Sequence, residues 1–382
     1  MTVFLRIGLL ASLIIDQMIF LLETGLEALN AAAAESVERV YSQLLDADRN
    51  GRHILILSRE LCDWGLENLH LSGVDLNHLI SVKQRIATTA GIATQAKTIV
   101  KVAIGNQNIA YDPATGSYTL GHMQLIAGQY LLTKAALVLE DLIDDQDLFD
   151  LLMREAEKLS TVPGFVYDPI HGGGSRTIDV FEAEIAKNKI CVCIVDNDRF
   201  APCDAKSQMA TRVLRKNTRD LEGLGGQPFV GMGFTTVGRE LENQIPFGIL
   251  REVDQYRVHS SNNTLAGVVS QTGVPDQLDC AWLFFDVKEG LDGNVILEKA
   301  ENGLVSQATV EWLCQKFGTT KVEFKELKVQ GYGNRVVRNF LNCPTALADF
   351  HRFTRTDYWR SVFLDQLDHL LWFFASLKVN RV

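Results

Sequence analysis

An unbroken apolar run that ends in two acidic residues is the feature that most constrains this chain. The run covers residues 190–195, and Asp196 and Asp198 follow it with one residue between them. Apolar residues without polar alternation are typical of a strand buried on both faces, as in the parallel sheet of an α/β domain. Because ligands bind beyond the carboxyl ends of such strands, the two carboxylates predict a site for a hard cation such as Mg²⁺. The alternative is an Asp-rich turn that caps the next helix.

Length and composition define the class of protein. The chain has 382 residues, which predicts two or three domains, and its 47% hydrophobic and 22% charged residues can form a substantial core. A formal net charge of -10 argues against a surface that is positively charged overall, although a local basic groove could still hold nucleic acid. The seven cysteines form no C-x-x-C pair, which favours reduced thiols in a cytoplasmic protein. Cys191 and Cys193 fall on one face of the apolar strand, and core packing explains them better than a metal role.

The pattern divides the chain into three regions. Residues 1–160 are expected to be mainly helical with a small β-hairpin around 98–120, residues 161–300 to form an α/β domain, and residues 301–382 to be helical. The apolar segment 3–22 is interrupted by polar residues, so we expect a buried or partner-facing helix and neither a membrane span nor a secretory signal, with a membrane-associated helix as the alternative. The apolar residues of 358–377 are expected to pack into a core or a dimer interface.

A glycine-rich loop follows a short strand expected at residues 165–167. Asp168 ends that strand, Gly172, Gly173 and Gly174 form the loop, and a helix is expected from Ile178. Consecutive glycines allow close approach of a phosphate, whereas packing of the loop without a ligand is the alternative. The chain has neither the P-loop pattern nor the G-x-G-x-x-G order, which disfavours a P-loop ATPase and a dinucleotide site.

Further acidic residues follow later apolar segments. Glu240 and Glu242 come after a strand expected at residues 229–236, and Asp286 and Lys288 come after one expected at 282–285. Any one of these could be a solvated surface residue. Their recurrence in a single α/β region favours a shared site.

This order of segments resembles the Toprim fold of the overcoming-lysogenization-defect nucleases and related bacterial anti-phage effectors, over about residues 163–292. The resemblance implies that Asp196 and Asp198 bind Mg²⁺, with Mn²⁺ as an alternative ion. It further implies that Glu242, together with Glu240, completes a second metal position, and that Lys288 is similar to the lysine that stabilises the transition state in the nuclease branch.

The chain departs from the Toprim pattern at the first strand. Toprim proteins usually have a glutamate there, and none follows residues 165–167. We therefore assign Asp168 to this place as a metal ligand, with Asp179 as a second acid. Asp168, Glu242 and Lys288 are then the expected catalytic residues, and a degenerate site without activity is the alternative.

The expected function is Mg²⁺-dependent hydrolysis of phosphodiester bonds in DNA or tRNA-like RNA by a defence or toxin-like effector. From residue 316 onward there are eleven Lys and Arg against six Asp and Glu, and arginines alternate with aromatic residues, which suits nucleic acid. A regulatory or sensor protein, such as a separate ATPase, and a homo-oligomer are the expected partners. The alternatives are a non-catalytic scaffold in a defence complex and an enzyme acting on a small phosphorylated molecule.

Overall fold

Two sheets of mainly parallel strands form the framework of this protein. The computed structural model describes residues 19–96, 99–105, 110–112, 117–128, 130–143, 145–215, 231–271 and 280–377. Within them, helices surround both sheets, so the expected α/β class is confirmed. No helix in these ranges is both long and apolar enough to cross a membrane.

The first sheet lies in the region that was expected to be mainly helical. Its strands, in the order β2-β1-β3-β5-β4, are β1 (Ile19–Leu22), β2 (Ile54–Ile56), β3 (Ile99–Ala103), β4 (Ala110–Asp112) and β5 (Ser117–Gly121). Only β4 is antiparallel, and its hairpin with β5 is the predicted one. The helices are α1 (Leu26–Ala31), α2 (Ala34–Arg49), α3 (Arg59–Asn68), α4 (Gly73–Gln84), α5 (Ile86–Gln95) and α6 (His122–Ala127).

The expectation of a mainly helical region was therefore wrong for the strands of this sheet. Residues 19–22 form β1, although they were assigned to an amino-terminal helix, whose residues 1–18 lie outside the described part of the chain. β1 and β2 contain only four and three residues, and both are almost completely buried. Short buried strands have no alternating pattern that separates them from a helix, which explains the error.

The second sheet contains the apolar run on which the sequence analysis rests. All four of its strands are parallel, in the order β7-β6-β8-β9: β6 (Ala136–Leu139), β7 (Asp168–His171), β8 (Cys191–Val195) and β9 (Gly231–Thr235). All five residues of β8 are buried between its two neighbours, which confirms the predicted strand and the core position of Cys191 and Cys193. The helices of this part are α7 (Asp145–Glu157), α8 (Thr177–Ala186) and α9 (Gln208–Leu214).

Three strand assignments around this sheet were wrong. β6 lies in the region 1–160 that was expected to be mainly helical outside the hairpin, and α7 begins only at Asp145. The strand expected at residues 165–167 is displaced to β7, and Phe165 makes only an isolated bridge with Ala375. The segment Ala281–Phe284 is a 3₁₀ turn. Each of these segments is apolar or short, so its conformation is decided by tertiary packing and not by local pattern.

The described residues after β9 form helices and one two-stranded ribbon. β10 (Gly290–Asp292) pairs antiparallel with β11 (Lys328–Gln330). The helices are α10 (Phe247–Leu250), α11 (Ser261–Gln271), α12 (Gly293–Glu301), α13 (Gln307–Phe317), α14 (Lys321–Glu326), α15 (Val336–Leu341), α16 (Pro344–Phe353), α17 (Asp357–Trp359) and α18 (Asp365–Phe373).

The carboxyl-terminal helices return to the second sheet, as the apolar residues of 358–377 predicted. α18 packs against α7, and the Gln366 side-chain amide donates to the carbonyl oxygen of Thr235 at the end of β9 at 2.7 Å. The expected stacking of bases on the interleaved aromatic residues is wrong for Phe350 and Trp359, whose side chains are fully buried. These rings belong to the protein core and are closed to a ligand.

A buried histidine connects the two sheets and predicts sensitivity to acid. His53 precedes β2, and its Nε2 lies 2.9 Å from the carbonyl oxygen of Thr133, close to β6. Burial lowers the pKa of His53 to about 4, so the folded state keeps the ring neutral while the unfolded chain binds a proton below about 6.5. Because the folded pKa is the lower one, stability is lost as the pH falls from about 6.5 to about 4.

We expect this loss to amount to about 3 kcal/mol in the free energy of unfolding, and to be absent in His53→Gln. Urea unfolding of both proteins at pH 7, 6, 5 and 4 measures it. As the pH falls, the free energy of unfolding should decrease more for the wild type than for His53→Gln. A constant difference over this range would show that His53 does not resist protonation.

Candidate functional site

The carboxyl edge of the second sheet brings acidic residues from three neighbouring strands together. Glu140 directly follows β6, and Asp196 and Asp198 directly follow β8. After β9 the chain forms a 3₁₀ turn, Leu241–Gln244. Glu240 is the N-cap residue of this turn, and Glu242 lies within it. With Asp145, the first residue of α7, these six residues form the group that we call the acidic cluster.

Glu140 is the residue that the sequence analysis missed. Its Oε1 accepts a hydrogen bond of 3.0 Å from the backbone N–H of Asp196, which joins the ends of β6 and β8. Burial raises the pKa of Glu140, and the nearby Asp198 raises it further. The sequence signal was present, because residues 135–139 are an apolar run that ends in an acid, as residues 190–196 are.

Asp145 was also missed, and it lies on the same side of the sheet. Its Oδ2 accepts from the backbone N–H of Asp141 at 3.3 Å, so the residue stabilises the turn between β6 and α7. Burial, and then the charge of Glu242, raise the pKa of Asp145 to about 7. A carboxyl with this pKa is partly protonated near neutral pH and is therefore sensitive to any cation that arrives nearby.

Arg239 fixes the loop that carries Asp198. Asp198 has a φ of 57°, a left-handed conformation that few residues other than glycine adopt. The backbone N–H groups of Asn197 and Asp198 both donate to the Arg239 carbonyl oxygen at 3.0 Å, and Arg239 Nη1 donates to the Asp198 carbonyl oxygen at 2.9 Å. Asp198 is exposed, and backbone outliers of this kind are common at functional sites.

Glu240 and Glu242 are held in a rigid buried segment. The Asn243 side chain accepts from the Glu240 N–H at 2.7 Å and donates to the carbonyl oxygens of Trp282 and Phe285 at 2.6 and 2.9 Å. Glu240 Oε2 accepts from the Val287 N–H at 3.2 Å, and burial, followed by the charges of Asp286 and Glu242, raises the pKa of Glu240 to about 8.

Lys288 lies among these carboxylates, at the position that the sequence analysis gave it. Its Nζ is 2.8 Å from Glu242 Oε1. Burial alone would lower the pKa of Lys288, but the carboxylates of Glu242, Asp145 and Asp196 raise it above its usual value. The ammonium group therefore stays charged and partly neutralises the cluster.

One lysine does not balance the negative charge of the cluster. Burial raises the pKa of Asp196 well above its usual value, and the charges of Glu242, Glu140, Glu240 and Asp145 raise it further. Glu242 is only 1% exposed, and its Oε2 accepts no hydrogen bond within the described residues. An added cation would lower the electrostatic cost of this arrangement.

The donor chemistry of the cluster fits a hard divalent cation, but its side chains would have to turn towards one. Carboxylate oxygens are the ligands that Mg²⁺ prefers, and an unpaired buried carboxylate oxygen needs a positive partner. In the described ranges no three His, Cys, Asp or Glu side chains are arranged to hold a metal ion as they stand. Glu242 is turned towards the ammonium group of Lys288 instead.

The assignment of Asp168 to this site was wrong. Asp168 was expected at the carboxyl end of a strand, but it is the first residue of β7. Asp168 pairs in register with Ala136, at the amino-terminal ends of β7 and β6. It lies at the opposite end of the strands from Glu140, is exposed, and forms an ion pair of 2.9 Å with Lys189. Asp179 is exposed on α8, with Arg212 3.9 Å away.

The glycine-rich loop packs against the end of β6. Gly172 N–H donates to the Leu139 carbonyl oxygen at 2.7 Å, and Gly174 N–H donates to the Glu140 carbonyl oxygen at 3.3 Å. A Cβ atom on Gly172 would lie 2.7 Å from the Leu139 oxygen, so only glycine fits there. These two N–H groups are used within the protein, which favours the packing alternative over a phosphate cradle.

Comparison with known proteins gives no relative for this arrangement. No protein-family model matches the chain, and neither a curated protein nor a solved structure matches it.

Proposed function

We propose that this protein is a Mg²⁺-dependent nuclease with a Toprim-like catalytic unit built on the second sheet. The observation that carries the proposal is the acidic cluster: carboxylates that follow three adjacent parallel strands converge on one edge, around Lys288. Glu140 directly follows β6, so in a Toprim-like unit it would serve as the first-strand glutamate. With β6 taken as the first strand of that unit, the departure from the Toprim pattern would disappear.

Five of the six residues of the acidic cluster have a proposed role in binding metal. Glu140, Asp196 and Asp198 would hold one divalent ion, and Glu242 with Glu240 would contribute to a second position. Bound there, the ion would lower the pKa of a water molecule and neutralise charge on a phosphate. Lys288 would place its ammonium group where negative charge develops on the phosphoryl oxygens, and Arg239 would keep the Asp198 loop in position.

A non-catalytic scaffold is the second candidate. It is favoured by the ion pair between Lys288 and Glu242, which partly neutralises the cluster without a metal ion. In this case the acidic residues would maintain a local fold, and no cleavage would depend on them.

Metal-dependent cleavage separates the two candidates. The purified protein is incubated with plasmid, single-stranded DNA and total tRNA in the presence of Mg²⁺, Mn²⁺ or EDTA, and compared with the double variant Asp196→Ala/Asp198→Ala. The nuclease proposal predicts cutting of at least one polymer with metal, none with EDTA, and none by the double variant. Equal inactivity of both proteins with every metal, even after addition of cell extract to supply a partner, would favour the scaffold.

A further inference from the structure

A cavity of about 690 Å³ lies directly beside the acidic cluster. Arg239 and Asp286 line it and also contact the cluster: Arg239 holds the Asp198 loop, and Asp286 raises the pKa of Glu240. Other parts of its wall come from α11, α12 and the ribbon of β10 and β11. Its volume lies within the range of about 300–1,000 Å³ that is usual for small-ligand sites.

Two cationic groups meet over one aromatic ring in the wall of this cavity. The Arg239 guanidinium carbon is 4.1 Å from the centre of the Phe200 ring, and Lys299 Nζ is 4.9 Å from it. Arg239 is already paired with Asp286 at 3.1 Å. Lys299, by contrast, has no carboxylate within 4.0 Å among the residues that the structure describes, so its charge is available to a ligand.

The remaining wall of the cavity is polar and only partly charged. Lys328 is paired with Asp292 at 2.9 Å, so it adds little net charge. The exposed carboxylate of Glu289 also lines the cavity, so the lining as a whole is balanced in charge and Lys299 is a local positive group in it. Ser260, Thr264 and Gln330 contribute hydroxyl and amide groups, which can donate and accept hydrogen bonds. The ammonium group of Lys299 beside Phe200 and the neutral polar groups elsewhere in the lining match a ligand that combines an anionic phosphate with a hydrogen-bonding base or sugar.

We propose that this cavity binds one unstacked nucleotide of the polynucleotide substrate, next to the phosphodiester that is cleaved. Lys299 contacts its phosphate, and the wall of Ser260, Thr264 and Gln330 contacts its base or sugar. The proposal rests on the proposed nuclease function, since it places this nucleotide beside the acidic cluster. Because a nucleotide inside a duplex is stacked and cannot enter the cavity without unpairing, the inferred substrate class is single-stranded or locally unpaired nucleic acid.

Binding without cleavage tests this subsite independently of catalysis. Fluorescence anisotropy with a labelled 20-nucleotide single strand, as DNA and as RNA, is measured in EDTA over a series of salt concentrations. The proteins are wild type, Lys299→Gln, and Lys187→Gln as a control that removes one exposed positive charge outside the cavity. Lys187 lies after α8 and pairs there with Glu184.

We expect Lys299→Gln to weaken binding of at least one single strand by about five- to tenfold. The slope of the logarithm of the binding constant against the logarithm of the salt concentration should become shallower by about one. The effect on the matching duplex should be smaller. Lys187→Gln should bind as the wild type does. Equal affinities and salt slopes for the two variants would overturn the subsite while leaving the nuclease proposal intact. Failure of the wild type to bind any polynucleotide, together with absence of metal-dependent cleavage, would overturn both.

Discussion

Replacing Glu140 by glutamine is expected to reduce metal-dependent cleavage by about a thousandfold, which corresponds to the loss of several kcal/mol of stabilisation by the metal site. Glutamine has nearly the same shape, so the hydrogen bond from the Asp196 N–H to the side-chain oxygen can remain. The variant removes one negative charge and little else. Initial cleavage rates with Mg²⁺ at saturating substrate measure the effect.

Asp168→Asn is the matched comparison for this prediction, because the sequence pattern alone assigned to Asp168 the role that we propose for Glu140. Asp168 is exposed at the opposite end of the strands and pairs with Lys189, so its variant should cleave at the rate of the wild type. If Asp168→Asn is inactive and Glu140→Gln is active, the site has been placed at the wrong end of the sheet.

The second large effect is expected on stability. Replacing Lys288 by methionine removes the ammonium group that is 2.8 Å from Glu242, and the buried Glu242 carboxylate is left without a positive partner. We expect the free energy of unfolding at pH 8 in EDTA to fall by about 3 kcal/mol, since breaking a buried ion pair leaves an uncompensated charge. Lys288→Arg, which keeps the charge, should recover most of this loss.

The sign of the pH dependence follows from the raised carboxyl pKa values. Asp145, with a pKa of about 7, and Glu240, with a pKa of about 8, keep protons in the folded state that the unfolded chain has already released. The contribution of these two groups to the stability of the metal-free protein therefore falls as the pH rises from about 5 to 8, opposite in sign to the contribution of His53 at lower pH. The deficit of Lys288→Met should be smaller at pH 5 than at pH 8, and added Mg²⁺ should reduce it at pH 8.

Thermal unfolding of the wild type and both Lys288 variants at pH 5 and 8, with EDTA or Mg²⁺, measures these differences. An equal melting temperature for wild type and Lys288→Met at pH 8 in EDTA would mean that Lys288 does not neutralise the cluster.

The sequence predicts the part of this site that follows the buried strand β8. It does not predict the residues whose positions depend on tertiary contacts. β8 is unambiguous, because five buried residues in a row end at a pair of acids. β7 is an edge strand that is largely exposed and contains Pro169, so it has no apolar pattern and is defined by its pairing with β6. Because this strand was misplaced, Asp168 was assigned to the carboxyl end of a strand, although it begins β7.

Asp145 and Lys288 show the same contrast. Lys288 was identified because it follows an apolar run and an acid, although that run is a 3₁₀ turn and not a strand. Asp145 stands in an acidic stretch, residues 140–150, where only the start of α7 distinguishes one carboxylate from the others. The electrostatic role of a residue at a helix start depends on what faces it, and the sequence does not contain that information.

Binding of Mn²⁺ is the measurement that tests the central claim most directly, because it asks whether the acidic cluster holds a divalent ion whatever the substrate is. Free Mn²⁺ is followed by electron paramagnetic resonance during titration of wild type, Asp196→Asn and Asp168→Asn, with Mg²⁺ as competitor. The account predicts binding by the wild type that Mg²⁺ displaces, at least tenfold weaker binding by Asp196→Asn, and no change in Asp168→Asn. Identical titrations for all three proteins, or no binding by the wild type at millimolar Mn²⁺, would contradict it.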